Sequence, residues 1–212
     1  MMDMTPPVTV ILADGALPTH PVALALFRNA AHLVVCDGAL AKARSLAREP
    51  DLAVGDGDSL PPNERRALGA RWVQVDEQDT NDLEKAFREA VKRYGGAGVT
   101  VLGAEGMRED HFLGNVFRLP EMAKAAPGIR MVTNVGCFEV VEGKRSFVCR
   151  KGEPVSVFAP MPDTKVVSTG LVWPLAGVTL NALWRGTLNR TAAETFTLET
   201  DKPILVYMKH EE

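Results

Sequence analysis

The 212 residues carry a formal net charge of −3 and are 46% hydrophobic and 24% charged, the composition of a soluble globular chain. That balance excludes a surface that binds nucleic acid through bulk charge. No apolar run approaches the roughly 20 residues that a membrane-crossing helix needs, so no membrane partner is expected.

Cys36, Cys137 and Cys149 form no Cys-x-x-Cys pair and read as reduced thiols of a cytoplasmic protein, not as a disulfide frame or zinc site. The start, Met1-Met2-Asp3-Met4-Thr5-Pro6-Pro7, lacks the basic opening of a secretory signal. Without secretion, the glycosylation match at Asn189-Arg190-Thr191 reads as chance.

Residues 8–12 form an apolar run that predicts a buried strand, ending at Asp14-Gly15. A helix is expected over 18–30, a second strand over 33–36 ending at Asp37-Gly38, and a helix over 39–48 stopped by Pro50. A third strand, 52–54, runs into Gly55-Asp56-Gly57-Asp58-Ser59, followed by Pro61-Pro62. Residues 72–75 predict a fourth strand. Then Leu83, Ala86, Phe87, Ala90, Val91 and Tyr94 recur at helical spacing, with Glu84–Arg88 and Glu89–Arg93 pairs outside and Gly95-Gly96 as the stop. A fifth strand at 99–102, a helix from about residue 109 and a sixth strand at 131–132 complete an alternating pattern. Such alternation predicts an α/β domain with a doubly wound, mostly parallel sheet.

What ends these strands matters. Asp14, Asp37, Asp56 with Asp58, Asp79 with Asp82, and Asp110 each follow a predicted strand. In a parallel sheet those ends share one edge, where ligands bind. Carboxylates this close repel one another unless a cation or proton intervenes. Two readings stand at this point: a hard-cation site carrying phosphates, or solvated acidic turns.

After residue 136 the pattern changes to short runs at 138–141, 146–149, 155–158, 165–168, 195–198 and 204–207, punctuated by Gly143, Gly152, Pro160, Pro162, Gly170 and Pro203. This predicts a smaller all-β sandwich. The expected domains are 1–136, α/β, and 137–212, all-β.

The chemistry is narrowed by what is missing. Gly143-Lys144-Arg145 is not a phosphate-binding Walker loop, no Gly-x-Gly-x-x-Gly follows the first strand, and no Ser-His-Asp or Cys-His nucleophile arrangement is visible. The acidic residues, the glycine-rich loops, Lys85 and Arg108 are the parts phosphoryl transfer uses. Lys85, one turn after Asp82 at a helix start, reads either as a phosphate contact or as a surface partner of Glu89.

Taken together, Asp37-Gly38, Gly55-Asp56-Gly57-Asp58-Ser59, Asp79-Thr80-Asn81-Asp82-Leu83-Glu84-Lys85, Gly103-Ala104-Glu105-Gly106-Met107-Arg108-Glu109-Asp110-His111 with Leu113-Gly114-Asn115, and Thr169-Gly170-Leu171-Val172-Trp173-Pro174-Leu175 resemble the thiamine pyrophosphokinase family in order and spacing. The resemblance implies an α/β domain followed by a β-sandwich, a homodimer, and Mg²⁺-dependent transfer of the diphosphate of ATP to thiamine, releasing AMP. It implies that Asp56, Asp58 and Asp82 hold metal and phosphate and, with Arg108 and Asp110, form the catalytic set. It places Asp37, Gly38, Lys85, Gly106 and His111 around ATP, and Trp173, Thr187 and Asn189 near thiamine in the second domain. Met107, Glu105 and Leu188 depart from the family's usual residues. Two other readings remain: a diphosphokinase of a related hydroxymethyl heterocycle of pterin type, and an inactive nucleotide-binding homodimer.

Overall fold

The computed structural model describes residues 7–210; the remainder of the N-terminal stretch read for a secretory signal lies outside them. The chain divides after Asn134 into two compact units.

In the first unit, β1 (Thr9–Leu12), β2 (His32–Cys36), β3 (Leu52–Gly55), β4 (Trp72–Gln74), β5 (Val99–Leu102) and β6 (Arg130–Val132) are joined in the order β4-β3-β2-β1-β5-β6. Every pairing is parallel. All residues of β1, β3 and β5 are buried. That explains their unbroken apolar runs, since a parallel sheet is covered on both faces. The helices are α1 (Pro21–Asn29), α2 (Leu40–Ser45), α3 (Pro62–Leu68), α4 (Asp82–Tyr94) and α5 (Glu109–Met122). The order reverses at β1, which has β2 on one side and β5 on the other. The crevice beyond the carboxyl ends of β1 and β5 is therefore the switch point where ligands enter folds of this kind.

The α4 helix packs Leu83, Ala86, Phe87 and Ala90 inward, each large side chain contributing on the order of 1.5–3 kcal/mol by burial. Its Asn81 cap accepts from Glu84 N at 3.0 Å, and Gly95 closes it. Glu84, which is buried, pairs with Arg88 at 3.2 Å, while Glu89 pairs with Lys92 at 3.1 Å instead of the expected Arg93. The α3 helix was not expected. Pro62 opens it, at a position where its missing N–H would have no partner anyway.

The second unit contains β7 (Gly136–Val148), β8 (Pro154–Phe158), β9 (Thr164–Thr169), β10 (Ala176–Leu180), β11 (Gly186–Arg190) and β12 (Thr195–Lys209), all antiparallel to their partners within it. One run is β10-β9-β12-β7, and β8 pairs with both β11 and β12. The long β12 thus serves two sheet edges: Thr197–Thr200 meets β9 and Leu205–Met208 meets β8. Between them lies a core that includes Val141, Val157, Val166, Leu198, Ile204 and the stacked pair Phe147–Phe196, whose ring centroids are 4.8 Å apart.

Two strands expected at 138–141 and 146–149 are one strand, β7, and those expected at 195–198 and 204–207 are one strand, β12. Gly143 and Pro203, which look like turns, sit at a bulge where the register slips between Thr200 and Ile204. Asp201 there accepts Lys165 N at 2.8 Å. The β10 and β11 strands were missed because most of their residues are exposed or half-exposed, which erases the apolar alternation.

Candidate active site

The first unit holds a cavity of about 480 Å³ whose wall includes Asp14, Asp56, Asp82, Lys85, Arg108 and His111. Each arrives from the carboxyl end of a strand or the first turn of the helix after it. Asp14 follows β1, Asp56 follows β3, Asp82 opens α4, and Arg108 and His111 flank the start of α5.

Lys85 is the electrostatic centre. Its side chain is only 2% exposed, and its Nζ lies 3.4 Å from Asp82 Oδ1 and 3.7 Å from Asp56 Oδ2. Burial alone would lower its pKa, but the Asp82 and Asp56 carboxylates outweigh burial and raise it, so the ammonium stays charged. The alternative of a surface partner to Glu89 does not hold: Glu89 is taken by Lys92. Asp56 Oδ1 accepts Asp58 N at 3.1 Å and Oδ2 accepts Gln78 Nε2 at 3.3 Å. The Asp58 N–H, then Gln78, hold the Asp56 carboxyl below its ordinary range.

Asp37 is not on the cavity wall. It is buried beneath the Gly55–Asp58 turn, where its carboxylate accepts Gly38 N at 2.8 Å and Gly57 N at 3.3 Å. Burial raises its pKa, opposed by the Gly38 N–H. The two glycines beside it leave room for carboxylates. A Cβ at Gly55 would lie 2.3 Å from Asp37 Cγ, and one at Gly38 would lie 2.3 Å from Asp14 Oδ2. Gly106 and Asp58 are likewise off the cavity wall, and Asp58 is exposed.

Arg108 and Asp110 form an exposed two-point pair, Nη2 to Oδ2 at 2.6 Å and Nε to Oδ1 at 3.1 Å. The guanidinium, with the His111 N–H, holds Asp110 down at about 2. Arg108 therefore meets the cavity with its guanidinium already partnered.

Lys42, which lies off the cavity wall, and the wall residues Asn81 and Asn115 were not singled out from sequence. Lys42, on α2, looks like a solvated helix residue, yet its Nζ donates to Asp14 O at 2.9 Å and Gly15 O at 2.7 Å and pairs with Asp14 Oδ1 at 2.5 Å. Asn81 and Asn115 join α4 to α5, with Asn81 Nδ2 donating to Asn115 Oδ1 at 2.8 Å. Two signals pointed to them: Asn81 stands at the cap position before α4, and Asn115 is four residues after His111, on the same helix face. Glu105 also lines the cavity. Its Oε1 accepts Asn134 N at 2.8 Å, and burial raises its pKa.

In the second unit, Asn189 is buried and its side chain is committed to Trp173, Nδ2 donating to Trp173 O at 2.7 Å and Oδ1 accepting Trp173 N at 3.2 Å. Thr187 Oγ1 donates to Trp184 O at 2.7 Å. The Trp173 and Trp184 side chains are exposed, as is Leu188, which is 85% exposed at a positive φ of 59°.

The donor set suits a hard divalent cation. Two carboxylates, Asp56 and Asp82, converge on one cavity, and Mg²⁺ uses one or two carboxylates, taking its other ligands from water and phosphate oxygens. Among the described residues no group of three metal-ligating side chains converges as an all-protein cage, and Lys85 bridges the two carboxylates instead.

A parallel sheet with an acidic, lysine-centred cavity at its switch point, followed by a strand-rich unit, defines a phosphate-handling α/β protein. The family model described as the catalytic domain of thiamin pyrophosphokinase matches residues 23–132, and that described as its substrate-binding domain matches residues 136–207. The chain belongs to the thiamin pyrophosphokinase family. Among solved structures, thiamine pyrophosphokinase from Bacillus subtilis is 23% identical, with 96% of this chain and 99% of that chain covered and a TM-score of 0.78. A thiamin pyrophosphokinase family protein from Enterococcus faecalis is 21% identical, with 96% and 99% covered and a TM-score of 0.78. Yeast thiamin pyrophosphokinase is 12% identical, with 95% and 85% covered and a TM-score of 0.75. At these identities the structural likeness speaks to the fold. No curated protein matches the chain.

Proposed function

We propose that this protein transfers the diphosphate of ATP to thiamine, giving thiamine diphosphate and AMP, with Mg²⁺ required. The observation that carries the reading is the convergence of Asp56 and Asp82 on the buried Lys85 ammonium at the sheet's carboxyl edge. Such a site suits a polyphosphate: the ammonium neutralises phosphate oxygens, and the carboxylates accept a cation that phosphate brings with it. Asp56 and Asp82, with Asp58 two residues after Asp56 in the same turn, would hold Mg²⁺. When bound, it would supply positive charge that stabilises the phosphates during transfer.

The chain's own residues do the rest. Lys85 neutralises the phosphates, and Arg108 and His111 face the cavity from the start of α5. Asp37 holds the Gly57 N–H and so fixes the turn that presents Asp56. Asn189 holds Trp173 so that its exposed ring faces thiamine.

The domain roles follow as a nucleotide-binding domain over 1–136 and a thiamine-binding domain over 137–212. The protein works in the cytoplasm as a homodimer. Buried thiols at Cys36, Cys137 and Cys149 suit a reducing compartment, and among the described residues no helix is long and apolar enough to cross a membrane. Exposed Trp173, Trp184, Leu183 and Leu188 provide apolar surface that a partner copy would cover.

The test is to incubate the protein with ATP, Mg²⁺ and thiamine and follow the nucleotide. AMP should appear in step with thiamine diphosphate. ADP in step with a phosphorylated product, or no use of thiamine beside turnover of a pterin alcohol, would overturn the assignment. A light-scattering mass equal to one chain at micromolar concentration would overturn the dimer.

A further inference from the structure

The loop between β1 and α1 is held by a device separate from the lysine and carboxylates of the site. Glu105 Oε1 accepts the Asn134 N–H at 2.8 Å. The Asn134 side chain reaches back across the sheet edge, its Oδ1 accepting Thr19 N at 2.7 Å and His20 N at 3.1 Å and its Nδ2 donating to Leu17 O at 3.0 Å. The Glu105 carbonyl accepts Ala16 N at 2.5 Å. Glu105 thus binds this loop twice, once through its backbone and once through Asn134. Asp14 and Gly15, at the loop's start, line the cavity, as Glu105 does. The Glu105 Oε2 atom is buried with no hydrogen-bond partner among the described residues. Burial costs the carboxylate solvation, which the Asn134, Glu105 and Ala104 N–H groups offset in part.

We propose that Glu105 is a positioning residue for the nucleotide: through Asn134 it locks the β1–α1 loop in the shape that the switch-point crevice needs to receive ATP. The proposal rests on the reading of this cavity as the nucleotide site. It concerns the acceptor oxygen Oε1, not the charge, so glutamine at this position does the same work and alanine does not. The loop has its own backbone bonds to the segment just after β5, Gly15 N to Gly103 O at 2.6 Å among them. Losing the latch therefore loosens Leu17–His20 without unfolding the unit.

The experiment is calorimetric binding of a non-hydrolysable ATP analogue with Mg²⁺ to the full chain, with thermal unfolding measured in parallel. Glu105→Ala should weaken binding about tenfold, the loss of one ordering hydrogen bond, and Asn134→Ala, which removes three, by at least as much. Glu105→Gln should bind within about threefold of the wild type. Wild-type binding by Glu105→Ala overturns the proposal even if its melting temperature falls, since the role would then be structural. Equal loss in Glu105→Gln and Glu105→Ala also overturns it. If Glu105→Ala fails to fold, Asn134→Ala decides: it keeps the backbone N–H that Glu105 accepts and removes only the clamp, and unchanged binding there overturns the proposal. A wild type that binds the analogue but makes no AMP from ATP and thiamine sinks the reaction assigned above and leaves this proposal standing. A wild type that does not bind the analogue overturns both.

Discussion

The carboxamide of Asn189 pairs with the peptide of Trp173 as a neighbouring strand would, donating from Nδ2 to Trp173 O at 2.7 Å and accepting Trp173 N at 3.2 Å. Its Oδ1 also accepts Arg190 N at 2.8 Å. With these bonds made in a buried setting, the side chain acts on whatever lies beyond through the placement of Trp173.

Asn189→Ala should therefore cost stability as well as substrate binding. Each of the part-buried bonds to the Trp173 backbone contributes about 0.5–1.5 kcal/mol, and their loss means a fall of several degrees in melting temperature. The KM for thiamine should rise while kcat changes little. Thermal unfolding followed by tryptophan fluorescence, with thiamine kinetics alongside, checks both. An unchanged melting temperature would show that the clamp carries no energy.

Gly55→Ala and Gly38→Ala should destabilise the first unit and damage the site together. The added methyl would meet Asp37 Cγ or Asp14 Oδ2 at 2.3 Å, and neither carboxylate can retreat without breaking its bonds to Gly57 N or to Lys42. Overpacking of this kind costs about 1–3 kcal/mol. Gly114→Ala is the matching control: the site of its Cβ is empty within 4 Å and it lies within α5. Alanine there should stabilise by about 0.5–1 kcal/mol. Denaturant titration of the three variants separates the cases by sign.

The parallel half of the fold was legible in the sequence because its strands are buried on both faces and its helices are amphipathic; α4 shows this most plainly. The strand-rich half was legible only in class. Bulges read as turns at Gly143 and Pro203, and β10 and β11 carry few buried side chains. In the site, the aspartates could be read from their positions after strands. Lys42 could not, because its partners, Asp14 and Gly15, are 28 and 27 residues away in sequence and meet it only through the sheet. Asp37 was placed at the right edge, but its burial under Gly55 is a matter of packing that no local pattern reveals.

The Arg108–Asp110 pair sets a pH dependence of known sign. Asp110 is moved from the ordinary 3.8 down to about 2 by the Arg108 guanidinium, with the His111 N–H adding to it. A depressed carboxyl contributes stability that is present above pH 4 and lost as pH falls through about 2. Both partners are well exposed, so the effect on stability is small. The midpoint itself is the better readout. Carbon-detected NMR titration of Asp110 should show it near 2, and Arg108→Ala should return it toward 3.8. A wild-type midpoint already near 3.8 would mean that the pair does not persist in solution.

Asp58→Asn, Asp82→Asn and Lys85→Met test the chemistry of the acidic edge, each in a different way. Asp58 is exposed and the Asp82 side chain is 49% exposed, so replacement by an isosteric amide should leave unfolding cooperative; Asp58→Asn should shift it by less than about 0.5 kcal/mol, and Asp82→Asn by more, because it takes one carboxylate from the buried Lys85 ammonium. Turnover should be abolished in both, because an amide cannot supply the charge a Mg²⁺–phosphate site requires. Lys85 differs in being almost fully buried between two carboxylates. Methionine fills its space but removes the cation, which leaves Asp56 and Asp82 to repel each other and raises the Asp56 pKa toward its ordinary value. The rate at saturating ATP and Mg²⁺ should fall about 10²–10³-fold, the cost of losing one group that stabilises developing charge. Stopped-assay AMP formation at several Mg²⁺ concentrations distinguishes the roles. Excess Mg²⁺ should rescue part of the Lys85→Met loss, since a second cation can take the place of the ammonium, and should rescue none of the loss in Asp82→Asn. Near-normal turnover in both aspartate variants at saturating Mg²⁺ would place the reaction elsewhere than this edge of the sheet.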